Sequence, residues 1–415
     1  MPVLDGLREI LRPAVAFCLD LHQHPELSGE ERRTAARLGE WLRTAGYEVT
    51  GGLGGHGVVG VLRNGPGPRV LIRTELDALP VTENTGLPYT STGPVAHACG
   101  HDVHMAAAAG AASLLARARE RWRGTVVVVG QPAEETLTGA RALLADGLYE
   151  RFGRPDTVLA QHTAPLPAGM VAHAYGPMLA GSAGIEAVVH GRGGHAGTPH
   201  LAVDPLLTAA AAALRLQGVV SRECAPTEPA LLNVGSLHAG TAANLIPDRA
   251  TLGITVRALS ERTLDRMTAA VERVLRAECA AAGSPREPEV RTVARSPVTH
   301  PDPAATAVVR EAHVRLYGAE RVAPWPPSMA TEDFPLYGDA GSGVHGEDGI
   351  ALVYWMFGVV GPKVWARTPG TAEEKLAALP PHHSPEFAAD LRTALPTGIT
   401  AMTAAALARL GTDRI

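Results

Sequence analysis

The strongest constraint on the fold is an alternation of short β-branched runs with helix-spaced stretches. Apolar runs at Val58–Leu62, Val70–Arg73, Thr125–Val129 and Thr157–Ala160 read as strands, and Met105–Arg119 and Ala140–Ala145 as helices. Strands alternating with helices over this length predict a layered α/β domain with a mostly parallel sheet, because parallel neighbours need a crossover between them. Upstream, Leu7, Ile10, Leu11, Val15, Leu19, Leu38, Trp41 and Leu42 recur at helical spacing around a break at His24-Pro25, so two amphipathic helices open the chain between Asp5 and Ala45. In such domains the chemistry gathers where strands end.

The pattern changes at Ser182. A strand at Ile185–His190, a helix at Asp204–Gln217, strands at Ala230–His238 and Ala250–Ala258 and a helix at Ser260–Ala282 predict a small α+β open-faced sandwich with an antiparallel sheet. A helix at Ala304–Tyr317, an apolar strand at Ile350–Phe357 and a helix from Pro385 to Leu410 then resume the first style. The expected organisation is a discontinuous catalytic domain, 1–181 and 294–415, with 182–293 inserted as a lid and dimerisation domain. The 415 residues suit two domains, and 46% hydrophobic with 19% charged residues describes a globular chain.

A net charge of −5 provides no basic field for polyanions, so no nucleic-acid partner is expected. Leu206–Val220 is apolar but short and carries Arg215, which predicts a packed helix and no membrane partner. Acidic residues and Arg interrupt the opening MPVLDGLREILRPAVAF, so no signal peptide is expected. Cys18, Cys99, Cys224 and Cys279 are scattered and form no disulfide pattern, which points to the cytoplasm.

Seventeen histidines remain, several beside Cys, Asp or Glu. The densest run is His97-Ala98-Cys99-Gly100-His101-Asp102-Val103-His104, directly before a helix. Thiolate and imidazole hold Zn, Mn or similar ions, and the adjacent Asp102 can orient a ligating ring. Gln131-Pro132-Ala133-Glu134-Glu135 follows a buried strand, where one carboxylate can coordinate and the other act as general base. His162 follows the strand Thr157–Ala160, and His382-His383-Ser384-Pro385 enters the last helix. Each is weak alone, but a parallel sheet gathers such positions into one cleft. A Cys, two or three His and two Glu exceed what one tetrahedral ion needs, which suggests two metals about 3.5–4 Å apart. A thiolate ligand is expected to become more oxidisable once metal is stripped.

The ordered pieces His22-Gln23-His24-Pro25-Glu26, Asp77-Ala78-Leu79-Pro80, the run from His97 to His104, Gln131 to Glu135, His195 with His200, Asn244 to Asp248, Glu332-Asp333-Phe334 and His383-Ser384-Pro385 together resemble a metallo-amidohydrolase and peptidase family. That family includes hippurate hydrolase, indole-acetyl-amino-acid hydrolases and, more distantly, aminoacylase and glutamate carboxypeptidase. The resemblance covers nearly the whole chain and implies a metallopeptidase-like catalytic domain. By resemblance the metal ligands are Cys99, His101, Glu135, His162 and His383, the general base is Glu134, and Asp77 supports the ligands from behind. It implies two divalent ions per subunit, Zn or Mn, with Co and Ni as further candidates. In that family the histidine matching His195 reaches the partner subunit's active site and helps stabilise the oxyanion, which implies a homodimer or higher homo-oligomer. Asn244 and Arg257 resemble residues that hold the substrate's carbonyl or carboxylate, and an Arg fork suits that task; a plain surface strand charge is the other reading of Arg257.

The implied activity is metal-dependent hydrolysis of the amide bond of N-acyl amino acids or peptide-like small molecules. The alternatives are a dipeptidase or carboxypeptidase, and a catalytically idle metal-binding regulatory protein, against which a general base at Glu134 argues. Three departures stand out. Glu75 replaces the family's usual Asp, the tandem His382-His383 leaves the last ligand ambiguous by one residue although Ser-Pro favours His383, and Gly338–Gly349 precedes an aromatic strand at Val353–Phe357 that either packs in the core or lines a pocket.

Overall fold

Valine-rich strands pair side by side to form an eight-stranded sheet, in the order Glu48–Leu53, Gly57–Asn64, Gly124–Gln131, Arg69–Glu75, Thr157–Pro167, Ala351–Val360, Val171–His173, Val322–Pro324. The structure is a computed structural model that describes residues 5–410; residues 1–4 and 411–415, the ends of the expected catalytic domain, lie outside it. The central strands, from Gly124–Gln131 to Ala351–Val360, are mutually parallel, and antiparallel pairings flank them. By contact density the chain divides into two units, Met1–Gly176 with His300–Pro326 and Asp333–Ile415, and Pro177–Thr299 with Pro327–Glu332.

In the first unit the helices Leu7–Gln23, His101–Arg117 and Leu391–Leu410 pack on one another. Small residues permit the close crossing: a Cβ at Gly110 would stand 2.7 Å from Ile399. Three expected boundaries move, each for a local reason. The helix expected from Met105 begins at His101, because its polar first turn is buried on internal partners rather than on apolar neighbours. The strand expected to end at Ala160 runs to Pro167, carried by pairing with Ala351–Val360, so His162 lies within the strand and not after it. The last helix begins at Leu391 and not Pro385, since Asp390 N–H is drawn to the Val359 carbonyl at 2.8 Å. The aromatic strand packs inward, with Tyr354, Trp355 and Phe357 fully buried.

One histidine pair lies deep in this unit. His313 Nε2–H donates to the Ala401 carbonyl at 3.0 Å, which leaves its Nδ1 to accept from His173 Nε2–H at 2.9 Å. Both rings are fully buried beside Trp355. Burial pushes His313 down to about 4, and burial, His313 and Arg310 push His173 well below the usual imidazole range. Unfolded His313 takes up its proton near pH ~6.5, so between there and about 4 the unfolded chain binds more protons. Stability is therefore complete above pH ~6.5 and falls as the pH drops through this window, by about 3 kcal/mol from His313. Thermal melting against pH should show that loss, and His313→Gln should flatten it; a variant with the wild-type slope would contradict the assignment.

The second unit is a four-stranded antiparallel sheet in the order Glu289–Ser296, Gly181–His190, Arg249–Ala258, Ala230–Ala239. The helices Pro205–Leu216 and Glu261–Ala281 pack on it and on each other. Asp204 and Ser260 cap their first turns, accepting from the backbone N–H of Leu206 and Thr263. The strand Glu289–Ser296 was not expected; it is an exposed edge rich in Arg, so it lacks the apolar alternation that marks a strand in sequence. No helix among the described residues is long and apolar enough to cross a membrane.

Candidate metal centre

The neighbouring parallel strands Arg69–Glu75 and Gly124–Gln131 end side by side, with Glu75 opposite Gln131. The chain then carries Asp77 from the first and Glu134 and Glu135 from the second, while His162 comes from Thr157–Pro167. Gly100, at φ 82°, opens the helix that bears His101, and a Cβ there would meet Thr163 Oγ1 at 2.8 Å. His383 arrives on the loop before the last helix, held at φ 67° with its N–H on the Ala98 carbonyl at 2.9 Å.

Within the first unit three overlapping groups of candidate ligand atoms result, each with its atoms within 4.8 Å of one another: Cys99, His101 and His162; Cys99, Glu135 and His383; His101, Glu134 and Glu135. Cys99 Sγ stands 3.4 Å from His162 Nε2, His383 Nε2 3.4 Å from Glu135 Oε2, and His101 Nε2 3.8 Å from both Glu134 and Glu135. His101 Nδ1–H donates to the Asp77 carbonyl at 2.8 Å, which aims Nε2 at the carboxylates. His162 Nδ1–H likewise donates to the Thr163 carbonyl at 2.8 Å and frees Nε2. His101 Nε2 and Glu135 Oε1 are buried without a hydrogen-bond partner. Buried orphan atoms are rare, and a cation between them would satisfy both, so the donor set fits divalent metal.

The electrostatics agree. Burial raises Glu135 despite the nearby His101 and His383, and burial together with the charges of Glu135 and Glu134 pushes the Cys99 thiol well above its usual range. A crowd of buried anionic groups resists ionisation unless a cation joins it. With no cation bound, burial among these carboxylates disfavours the Cys99 thiolate, which works against the oxidation expected of a stripped site. His101 is lowered by burial, but Asp77 and Glu75 outweigh this and carry it up to about 10. His382 turns away from the group: Thr163 Oγ1 donates to the Cys99 carbonyl and accepts His382 Nε2–H at 3.0 Å, leaving His383 as the ring beside Glu135.

Residues 71–377 match the model of peptidase family M20/M25/M40. The chain belongs to peptidase family M20/M25/M40. It is 36% identical over 321 residues to the hippurate hydrolase of Campylobacter jejuni, covering 76% of this chain and 82% of that one. It is 33% identical over 380 residues to an N-acetylcysteine deacetylase of Bacillus subtilis, covering 89% and 94%. A solved Bacillus subtilis structure, described as a dinuclear metal binding peptidase of the M20 family, superposes with a TM-score of 0.77 at 27% identity over 96% of this chain and 98% of that one.

The remaining expected residues of this M20/M25/M40 chain divide. Asp77 Oδ2 accepts from Glu135 N–H at 2.9 Å and from Ser28 Oγ at 2.7 Å, behind the candidate centre. Asp102 does not orient a ligating ring; it accepts from His22 Nδ1–H at 2.8 Å, because its position in the helix points it away from His101. Lowered by His22 against the effect of burial, Asp102 sits at about 2, and His22 rises to about 9 although burial alone would lower it. Glu75 is bonded to Arg73 and His104, and Arg73 and Gln131 both reach Asp333 at 2.9 Å. Sequence reading named Glu75 and the Glu332-Asp333 pair without finding this network, since pairings of strand ends distant in sequence leave no local mark. In the second unit His195 is exposed, paired with Leu245, and its Nδ1 accepts from Gly197 N–H at 2.9 Å. Asn244 is exposed with its carbonyl on Ala196 N–H, and Arg257 Nη1 donates to the Met329 carbonyl at 2.6 Å, so part of its fork is already engaged.

Proposed function

We propose that the chain is a metal-dependent amidohydrolase that cleaves the amide bond of N-acyl amino acids. The observation that carries the reading is the buried pair His101 Nε2 and Glu135 Oε1, 3.8 Å apart and without hydrogen-bond partners among the described residues, with Glu134 beside them. Cys99, His101, Glu135, His162 and His383 would hold two divalent ions. Thiolate and imidazole favour Zn, Co or Ni, and carboxylates suit Mn. When bound, the ions would make a water more acidic and polarise the substrate carbonyl. Glu134, 6% exposed and outside the ligand set, takes the proton from the attacking water and returns it to the leaving amine. Asp77 keeps Glu135 and His101 oriented through the Glu135 N–H and its own carbonyl. The relatives named for hippurate and N-acetylcysteine support this substrate class. Amine release from a panel of N-acyl amino acids and dipeptides, with and without Mn or Zn, tests it. Preference for dipeptides would favour the peptidase reading, and no release from any substrate would favour an idle binding protein.

The proposal extends to a homodimer in the cytoplasm. Four cysteines unpaired in the structure support the compartment. Exposed Leu201, Leu207, Leu214 and Leu245 and the edge strand Ala230–Ala239 support self-association of the second unit. His195, which is exposed and whose Nδ1 accepts from Gly197 N–H, is proposed to stabilise the oxyanion in the partner subunit through Nε2, while Asn244 and Arg257 bind substrate. Sedimentation should give twice the 43.2 kDa chain mass, and His195→Gln should lower kcat by about 100-fold, the effect of losing one oxyanion donor. An active monomer would contradict the trans assignment.

A further inference from the structure

The segment His22–Glu31 fastens the metal-bearing loops from behind. Ser28 Oγ donates to Asp77 Oδ2 at 2.7 Å, and the same oxygen accepts Glu135 N–H at 2.9 Å. Glu31, fully buried, accepts Ala133 N–H at 2.8 Å and Gly29 N–H at 2.7 Å on one carboxylate oxygen. Glu26 closes the segment: its carbonyl accepts Ala78 N–H at 2.8 Å, and its carboxylate accepts the N–H groups of Arg33 and Thr34 at the start of the next helix. At the other end His22 bridges Asp102 at 2.8 Å and Glu83 at 3.2 Å, and Asn84 N–H donates to the Pro385 carbonyl, two residues beyond His383.

Ala133 explains why Glu31 matters. Its φ of 50° is a left-handed conformation that a non-glycine residue keeps only where its surroundings hold it there. The residues on either side of Glu134 are thus each anchored by a carboxylate, Ala133 N–H by Glu31 and Glu135 N–H by Asp77. Releasing either lets the turn relax and swings Glu134 and Glu135 together. We infer that the His22–Glu31 segment is a positioning element of the metal centre, in which Glu31 fixes the directions of Glu134 and Glu135 through the strained Ala133, and Ser28 does so through Asp77. This rests on the proposed metal-dependent reading.

The test uses the full chain stripped of metal and titrated with Co²⁺, following visible absorption and competition with a chelator, alongside kcat and KM for an N-acyl amino acid. Glu31→Leu should weaken Co²⁺ binding and lower kcat, each by about 10- to 100-fold, with KM little changed and with an altered Co²⁺ spectrum. Glu31→Gln keeps an acceptor oxygen for Ala133 and should restore the spectrum and most of both losses. Ser28→Ala, a small change at a half-buried site, should cost about tenfold in Co²⁺ affinity. A folded Glu31→Leu with wild-type affinity, spectrum and kcat overturns the inference, as does a Glu31→Gln no better than Glu31→Leu. If Glu31→Leu does not fold, Ser28→Ala decides, and wild-type Co²⁺ affinity in that variant overturns it. Wild-type protein that neither binds Co²⁺ nor turns over defeats the metal reading itself, whereas variants that match an active wild type defeat the clip alone.

Discussion

Glu134→Gln is expected to lower kcat by about 10³- to 10⁴-fold while both ions remain bound. The amide keeps the size and some hydrogen bonding of the carboxylate but cannot take a proton from water at neutral pH, and proton transfer of this kind contributes about 10²- to 10⁴-fold. Its 3.8 Å separation from His101 Nε2 and its near-complete burial put it beside the ligand atoms, yet the five proposed ligands do not include it. Turnover near wild type with metal retained would remove Glu134 as the base.

Glu135→Ala should separate cleanly from that result. Glu135 is the carboxylate common to two of the candidate ligand groups of the first unit, 3.4 Å from His383 Nε2 on one oxygen and 3.8 Å from His101 Nε2 on the other. Removing it takes the shared acid from both imidazoles, so metal content should fall from two ions to at most one per chain. The lost electrophilic assistance, several kcal/mol for a bound ion, corresponds to a fall in kcat of at least about 10³-fold. Elemental analysis and kinetics on the same sample check it. A Glu135→Ala protein that keeps two ions would overturn the ligand assignment, whereas Glu134→Gln keeps them by design.

The central strands were legible because Val126–Val129 and Val70–Ile72 are buried on both faces and so read as unbroken apolar runs. The residues of the candidate centre were legible because Cys99, His101, Glu134 and Glu135 occur in dense local runs beside strand and helix ends. What escaped was long-range or polar. The exposed Arg-rich strand Glu289–Ser296 carries no apolar alternation. The true partner of Asp102 is His22, 80 residues away, and adjacency to His101 suggested the wrong one. Glu31 and Ser28 carry no local mark in the sequence, and only the folded chain brings them against Ala133 and Asp77.

The central claim is that two ions held by Cys99, His101, Glu135, His162 and His383 support amide hydrolysis. The most direct measurement strips the chain exhaustively, then adds back Mn or Zn in steps while counting bound ions and amine released from an N-acyl amino acid. The account predicts no turnover in the stripped chain and a rise to full turnover as occupancy reaches two ions per chain. Undiminished hydrolysis by the stripped chain, or full occupancy with no hydrolysis of any N-acyl amino acid or dipeptide, would contradict it.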